Sequence, residues 1–284
     1  MEDPRLLLAR VLDFAEHHEG IEAVVQTGSR ARGLRVDSLS DLDIELIGPG
    51  APLLAGDDEW LAAIAPTLVS IHLDNEEDDE PGWPTCLAVF AEGRKVDFTL
   101  AGTERLVAMR EHGLDELYGR GYVVHFDRTG IAAELSPSHP TPPVREAPDA
   151  EDFEVNQREF WFEATQVPIY AARGDLWPAL SRLAEIRDLM LTMLEWYAAT
   201  GSEPVDTWHN GHHIAEWLGA DHSRIPETFA RYEADDIIRA LRAAADLYAD
   251  VATATGKALA LPVLELHDRV LAHVDAVYNA NGRR

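Results

Sequence analysis

From Asp41 to Leu46 acidic and apolar residues alternate without a break: Asp41, Leu42, Asp43, Ile44, Glu45, Leu46. A period of two is the signature of a β-strand, whose successive side chains leave opposite faces. The pattern predicts that Leu42, Ile44 and Leu46 enter a core while Asp41, Asp43 and Glu45 share the other face. Acidic residues are depleted in strands, so a strand that gathers them on one side restricts what can lie beside it. Residues two apart sit about 6.6 Å apart at Cα, close enough for two carboxylates to reach one hard cation or to bracket a pair. Magnesium suits such a place, because it takes one or two protein carboxylates and fills its remaining positions with water and substrate phosphates.

A second alternation, Lys95-Val96-Asp97-Phe98-Thr99-Leu100, puts Asp97 on the polar side of another strand. If the two strands are neighbours, Asp97 completes an acidic trio with Asp41 and Asp43, a constellation able to activate a hydroxyl and stabilise a leaving pyrophosphate through metal ions. Upstream, Gly28-Ser29 follows a short strand and precedes a helical turn. Backbone N–H groups there can hold an anion, glycine permits close approach, and the Ser29 hydroxyl can donate to a phosphate oxygen. Arg30 and Arg32 are candidate partners for the charge of a triphosphate. The P-loop ending Gly-Lys-Ser/Thr is absent, and Ser29 has no His–Asp arrangement that would make it a nucleophile.

The rest of the chain divides in texture. Short strands are expected over 21–25, 42–47, 69–73, 85–90, 95–100 and 121–126, with helices over 6–16, from 57 onward and over 103–112. Five prolines between 137 and 148 exclude regular structure there. Beyond them only helical spacing appears, over 153–172, 176–200, 206–218, 225–232, 234–255 and 263–278. The expected fold class is α+β: a mixed-sheet domain over 1–135, a Pro-rich linker over 136–150 and an all-helical bundle over 151–284.

A formal charge of −27 argues against a nucleic-acid partner, since phosphate binding needs a basic surface. It is compatible with a cationic ligand, because acidic clefts concentrate cations. No apolar run reaches the length of a membrane span. The start, Met1-Glu2-Asp3-Pro4, lacks the pattern of a secretory signal. Cys86 has no internal partner, which fits a reducing cytoplasm. A cytoplasmic monomer is the expectation. His209, His212 and His213 read as helix-associated histidines rather than a zinc site, and the acidic run from Asp74 to Glu80 as a solvated loop.

Taken together, Gly28-Ser29-Arg30, the Asp41/Asp43 strand and Asp97 on a later strand resemble the DNA polymerase β nucleotidyltransferase superfamily. More closely, the chain is similar to the aminoglycoside 6-adenylyltransferases, the streptomycin-modifying branch. That likeness is carried by Asp58-Glu59-Trp60, Glu159-Phe160-Trp161, Tyr170-Ala171-Ala172-Arg173 and the segment from Arg187 to Trp196. The resemblance implies transfer of AMP from ATP, with Mg²⁺, to a hydroxyl of an aminoglycoside such as streptomycin. It implies that Asp41 and Asp43 hold metal, and that Asp97 is a third ligand or the base. The helical domain would form the other wall of a cleft, with Arg173 and Arg187 contacting the nucleotide. One departure stands out: a segment expected to carry a Gly-Lys pair reads Trp208-His209-Asn210-Gly211-His212-His213. Two rival readings remain: another small-molecule or protein acceptor, or a nucleotide-binding regulator without turnover.

Overall fold

The computed structural model describes residues 1–75, 82–139, 146–207 and 210–281. The chain divides into two compact units, Met1–Thr141 and Pro142–Arg284. Part of the Pro-rich segment (140–145), most of the acidic run after Asn75, and Trp208 with His209 lie outside the described residues.

In the first unit, helix α1 (Pro4–His17) is capped by the Asp3 carboxylate, which accepts from the Arg5 N–H. Strand β1 (Ala23–Gln26), the one-turn helix α2 (Gly28–Arg32), and strand β2 (Leu42–Ile47) follow. Then come a short helix α3 (Leu61–Ile64), strands β3 (Thr67–Leu73), β4 (Thr85–Phe90) and β5 (Lys95–Ala101), helices α4 (Glu104–His112) and α5 (Glu116–Arg120), and strand β6 (Val123–Asp127). The six strands form one sheet in the order β3-β4-β5-β2-β1-β6. All its pairings are antiparallel except β2 with β5, which run parallel with Asp43 opposite Asp97.

One sheet face buries Leu42, Ile44, Leu46, Val96, Phe98 and Leu100 against α1 and α3, through Leu7, Val11, Trp60 and Leu61. This is the apolar set expected from the two alternating strands. The opposite face is covered only in part. Ile47 and Ala101 pack with Leu106, Met109 and Tyr118 of α4 and α5 in a second, smaller core, and that cover reaches Glu45. Its side chain is 1% exposed; it accepts from Arg105 at 2.7 and 2.9 Å and from the Tyr118 hydroxyl at 2.8 Å. The face shared by Asp41, Asp43 and Glu45 is therefore half open and half buried, and Glu45 lies at the buried end.

Several expected elements differ. The helix expected from Asp57 begins only at Leu61, because the Asp57 carboxylate accepts from the Glu59 N–H and forms a turn instead. Helix α5 was not expected; its N-cap is Asp115, whose side chain accepts from the Tyr118 N–H, and five residues are too few to show a helical period.

The second unit is helical: α6 (Ala150–Arg173), α7 (Leu176–Ala199), α8 (Ile214–Trp217), α9 (Ala234–Leu259) and α10 (His267–Asn281). The helix expected over 206–218 shrinks to α8, since Asn210 and His213 take left-handed backbone. That over 225–232 is replaced by a 3-10 helix, Gly219–Thr228, with Pro226 inside it. The core of this unit centres on Phe160, stacked on Tyr248 at 3.6 Å between ring centroids, with the Tyr248 hydroxyl donating to Asn156 Oδ1 at 2.7 Å. No helix among the described residues is long and apolar enough to cross a membrane.

Removing one member of a buried ion pair leaves the other charged and unpaired, at a cost of about 3–5 kcal/mol. Arg105→Met is therefore expected to lower the urea-unfolding free energy by about that amount. A loss under about 1 kcal/mol, the size typical of exposed pairs, would show that Glu45 is not held by Arg105.

Candidate active site

At the open end of the half-covered face, Asp41, Asp43 and Asp97 bring one carboxylate oxygen each to within 4.8 Å of one another. Two of these residues are register partners in the parallel β2–β5 pair. Asp41 stands just before β2, on the same face as Asp43. Burial first, then the negative charges of Asp41 and Asp97, pushes the Asp43 carboxyl up to about 6. Asp97 is also raised, mainly by burial, although Lys95 opposes the shift.

Three crowded acids need a cation, and the donor set fits a hard one. All the donors are carboxylate oxygens, the ligands that magnesium prefers. One oxygen of Asp97, Oδ1, is buried and has no hydrogen-bond partner among the described residues. A buried, unsatisfied acceptor calls for an explanation, and a bound ion is one that meets it.

Gly28 stands directly against this cluster. Its φ is +67°, and a Cβ added there would lie 1.8 Å from Asp43 Oδ2. The Thr27 N–H donates to the Asp43 carbonyl at 3.0 Å, fixing the turn on β2. Only glycine fits at 28, for reasons of both conformation and space. Ser29 is the next residue of α2, half-buried.

Arg30, the candidate partner for triphosphate charge, holds backbone in this structure. Its guanidinium donates to the carbonyls of Asp37, Ser40 and Asp41, at 2.8–3.2 Å. Arg94, 2% exposed, donates from the other side to Ser38 O at 3.1 Å and Ser40 O at 2.9 Å. Two arginines thus clamp the loop that delivers Asp41. Arg32 Nε donates to Gly28 O at 3.2 Å. Sequence reasoning missed Arg94 and also Lys95, whose ammonium lies 2.7 Å from Asp97 Oδ2 and 3.2 Å from Asp41 Oδ2. Its place two residues before Asp97 on a strand was the available signal.

Arg173 and Arg187 belong to the second unit. Arg173 is exposed in the last turn of α6, where the helix dipole favours a cation. Arg187, on α7, lies 4.5 Å from the Phe229 ring centroid and donates to Thr228 O at 3.5 Å. His213 pairs with Glu216 at 3.2 Å. Among the described residues one other group could hold a metal: Asp58, His72 and Cys86. Asp58 is already engaged by His72 Nε2 and Ser70 Oγ, each at 2.5 Å, and burial pushes the Cys86 thiol up to about 12.

A family sequence model described as streptomycin adenylyltransferase matches residues 1–277. The chain belongs to the streptomycin adenylyltransferase family. Membership brings with it the class of enzyme, a nucleotidyltransferase. The chain is 28% identical over 197 residues to the aminoglycoside 6-adenylyltransferase of Bacillus subtilis (strain 168), a match spanning 66% of each protein. It is also similar to the crystal structure of an aminoglycoside 6-adenyltransferase from Bacillus subtilis, with 18% identity, a TM-score of 0.46, and coverage of 98% of this chain and 99% of the other. A nucleotidyltransferase-like protein from Exiguobacterium sibiricum 255-15 matches at 10% identity and a TM-score of 0.30, over 98% and 88% of the two chains.

Two measurements follow from this geometry. The Asp43 carboxyl is raised from 3.8 to about 6 in the folded chain, so its proton is held more tightly folded than unfolded. The stability this supplies is complete below about pH 4 and is lost as pH rises through about 6. In chelator at pH 7.5, Asp43→Asn is expected to raise unfolding stability by about 2 kcal/mol, with the gain fading toward pH 4. A gain of equal size at both pH values would place its origin elsewhere. Gly28→Ala should displace the Asp43 carboxylate and weaken Mn²⁺ binding by about tenfold or more, which is about 1.4 kcal/mol. Calorimetric titration giving unchanged affinity would exclude this contact.

Proposed function

We propose that the chain transfers AMP from ATP to a hydroxyl of an aminoglycoside of the streptomycin type, with Mg²⁺, releasing pyrophosphate. The single observation that carries this reading is the convergence of Asp41, Asp43 and Asp97 beside Gly28. Family membership supports adenylyl transfer, and the names of the relatives point to an aminoglycoside acceptor.

In this reading Asp41 and Asp43 hold the divalent cation, and Asp97 is a third ligand or takes the proton of the acceptor hydroxyl. When bound, Mg²⁺ supplies positive charge to the triphosphate and to the developing alkoxide. The Gly28–Ser29 backbone cradles the triphosphate, as close packing against Asp43 suggests. The acceptor oxygen attacks the α-phosphorus, the bond to pyrophosphate breaks, and the hydroxyl proton passes to the base. The raised carboxyl of Asp97 suits that task, because a base works best when its pKa approaches the working pH. Positioning and charge carry most of such catalysis. Arg30 serves by fixing the loop that presents Asp41, while Arg173 and Arg187 are the candidate nucleotide contacts of the helical unit. The charge of −27 favours a cationic acceptor. A cytoplasmic monomer completes the proposal.

Magnesium-dependent pyrophosphate release should be followed across an aminoglycoside panel. Release with streptomycin is the expected result. Release only with other acceptors would reassign the substrate, and no release with any would leave a nucleotide binder. Asp97→Asn is expected to lower kcat by about 10²–10⁴-fold, the range of general acid–base catalysis, with ATP affinity nearly unchanged. Wild-type turnover in that variant would remove Asp97 from the mechanism.

A further inference from the structure

Lys95 and Asp97 stand two residues apart on β5, on the same face of the sheet. The Lys95 ammonium donates to Asp97 Oδ2 at 2.7 Å and to Asp41 Oδ2 at 3.2 Å. One cation of the chain itself therefore bridges two of the three clustered carboxylates, from neighbouring elements of the sheet. The Lys95 side chain is 42% exposed. Packing does not force it inward; a long, flexible stem could equally have extended into water. What holds it is the charge of the acids, and this contact is direct rather than through solvent.

We propose that Lys95 is a resident counter-ion of the acid cluster, which competes with a divalent cation for Asp41 and Asp97 and is displaced when the cation and an anionic triphosphate enter together. The proposal rests on the cluster being a divalent-cation site, the reading advanced under Proposed function. The competition follows from simple electrostatics. Three ionised carboxylates with oxygens within 4.8 Å of one another repel and need positive charge nearby. An ammonium supplies one charge at all times, through donors only. A divalent ion seated on the same oxygens would stand beside that ammonium and be repelled by it. Seating the ion thus requires Lys95 to swing away, which four rotatable carbons allow without backbone movement. A triphosphate offers the displaced ammonium another anionic partner. Ion and nucleotide are then coupled: each lowers the cost of binding the other, as thermodynamic linkage requires. Lys95 is a positioning residue in this scheme, since it acts through Asp41 and Asp97. Of the two Asp97 oxygens it holds Oδ2, and the buried Oδ1 has no partner among the described residues.

The test is Mn²⁺ binding by the full chain without nucleotide, read from the loss of the free-ion signal in electron paramagnetic resonance. Wild type is compared with Lys95→Met and Lys95→Gln, which remove the charge, and with Lys95→Arg, which keeps it. The expected result is Mn²⁺ binding tighter by about tenfold or more in the two neutral variants, a shift of about 1.4 kcal/mol, and close to wild type in the arginine variant. A merely structural lysine would predict the opposite, since damage to the site weakens an ion's hold. Equal or weaker affinity in whichever neutral variant folds would overturn the proposal, as would equal tightening in Lys95→Arg. Should neither wild type nor the neutral variants bind Mn²⁺, the divalent-cation reading of the cluster falls with it. Binding with equal affinity in all of them removes only the role of Lys95.

Discussion

Parallel pairing of β2 with β5 is the constraint from which the candidate site follows. The register sets Asp43 opposite Asp97, and Asp41, two residues before Asp43, lies on the same face. A shift of that register would carry Asp97 away from Asp41 and Asp43, which share one segment. The pairing is costly in charge and is sustained by what lies on the reverse face. There Leu42, Ile44, Val96 and Phe98 pack beneath α1 and α3. Burial of that apolar surface, at about 25 cal/mol per Å², is what can offset the repulsion of clustered acids. The strand pair is thus a hydrophobic structure on one side and an electrostatic device on the other.

Basic residues of the first unit complete that device, each in a distinct way. Arg105 neutralises Glu45 inside the smaller core, which keeps a fourth carboxylate on this face from joining the cluster. Arg30 and Arg94 use their guanidinium groups on backbone carbonyls of the loop before β2. Planar, many-donor side chains suit this work better than lysine would. Lys95 reaches the acids of the cluster themselves, and its flexible stem suits a charge that must move. In a chain of formal charge −27 these few cations are placed where acidic side chains or loop carbonyls converge.

The helical unit rests on a different principle. Its core is held by long amphipathic helices and by a small polar network within them: Asn156, stacked Phe160 and Tyr248, and Gln157, which accepts from Leu264 N–H at 2.8 Å. Buried polar groups satisfied in this way fix how helices meet. The family match extends through this unit, so whatever it contributes belongs to the family's common architecture rather than to an appended domain.

Much of this was legible in the residues alone. Alternation in Asp41–Leu46 and Lys95–Leu100 determined which side chains enter the core and which stay on the polar face, because the two-residue period of a strand is a local property. Helical spacing did the same for the second unit, and the glycine at 28 marked a backbone turn. The neighbours of a strand are not local. Only the tertiary structure decided that β5 lies beside β2, that Glu45 turns into a buried pair with Arg105, that Arg30 grips a loop, and that Lys95 bridges Asp41 and Asp97. A side chain's face is set by its own backbone, whereas the partner of a charge is set by residues tens of positions away that folding brings within about 3 Å.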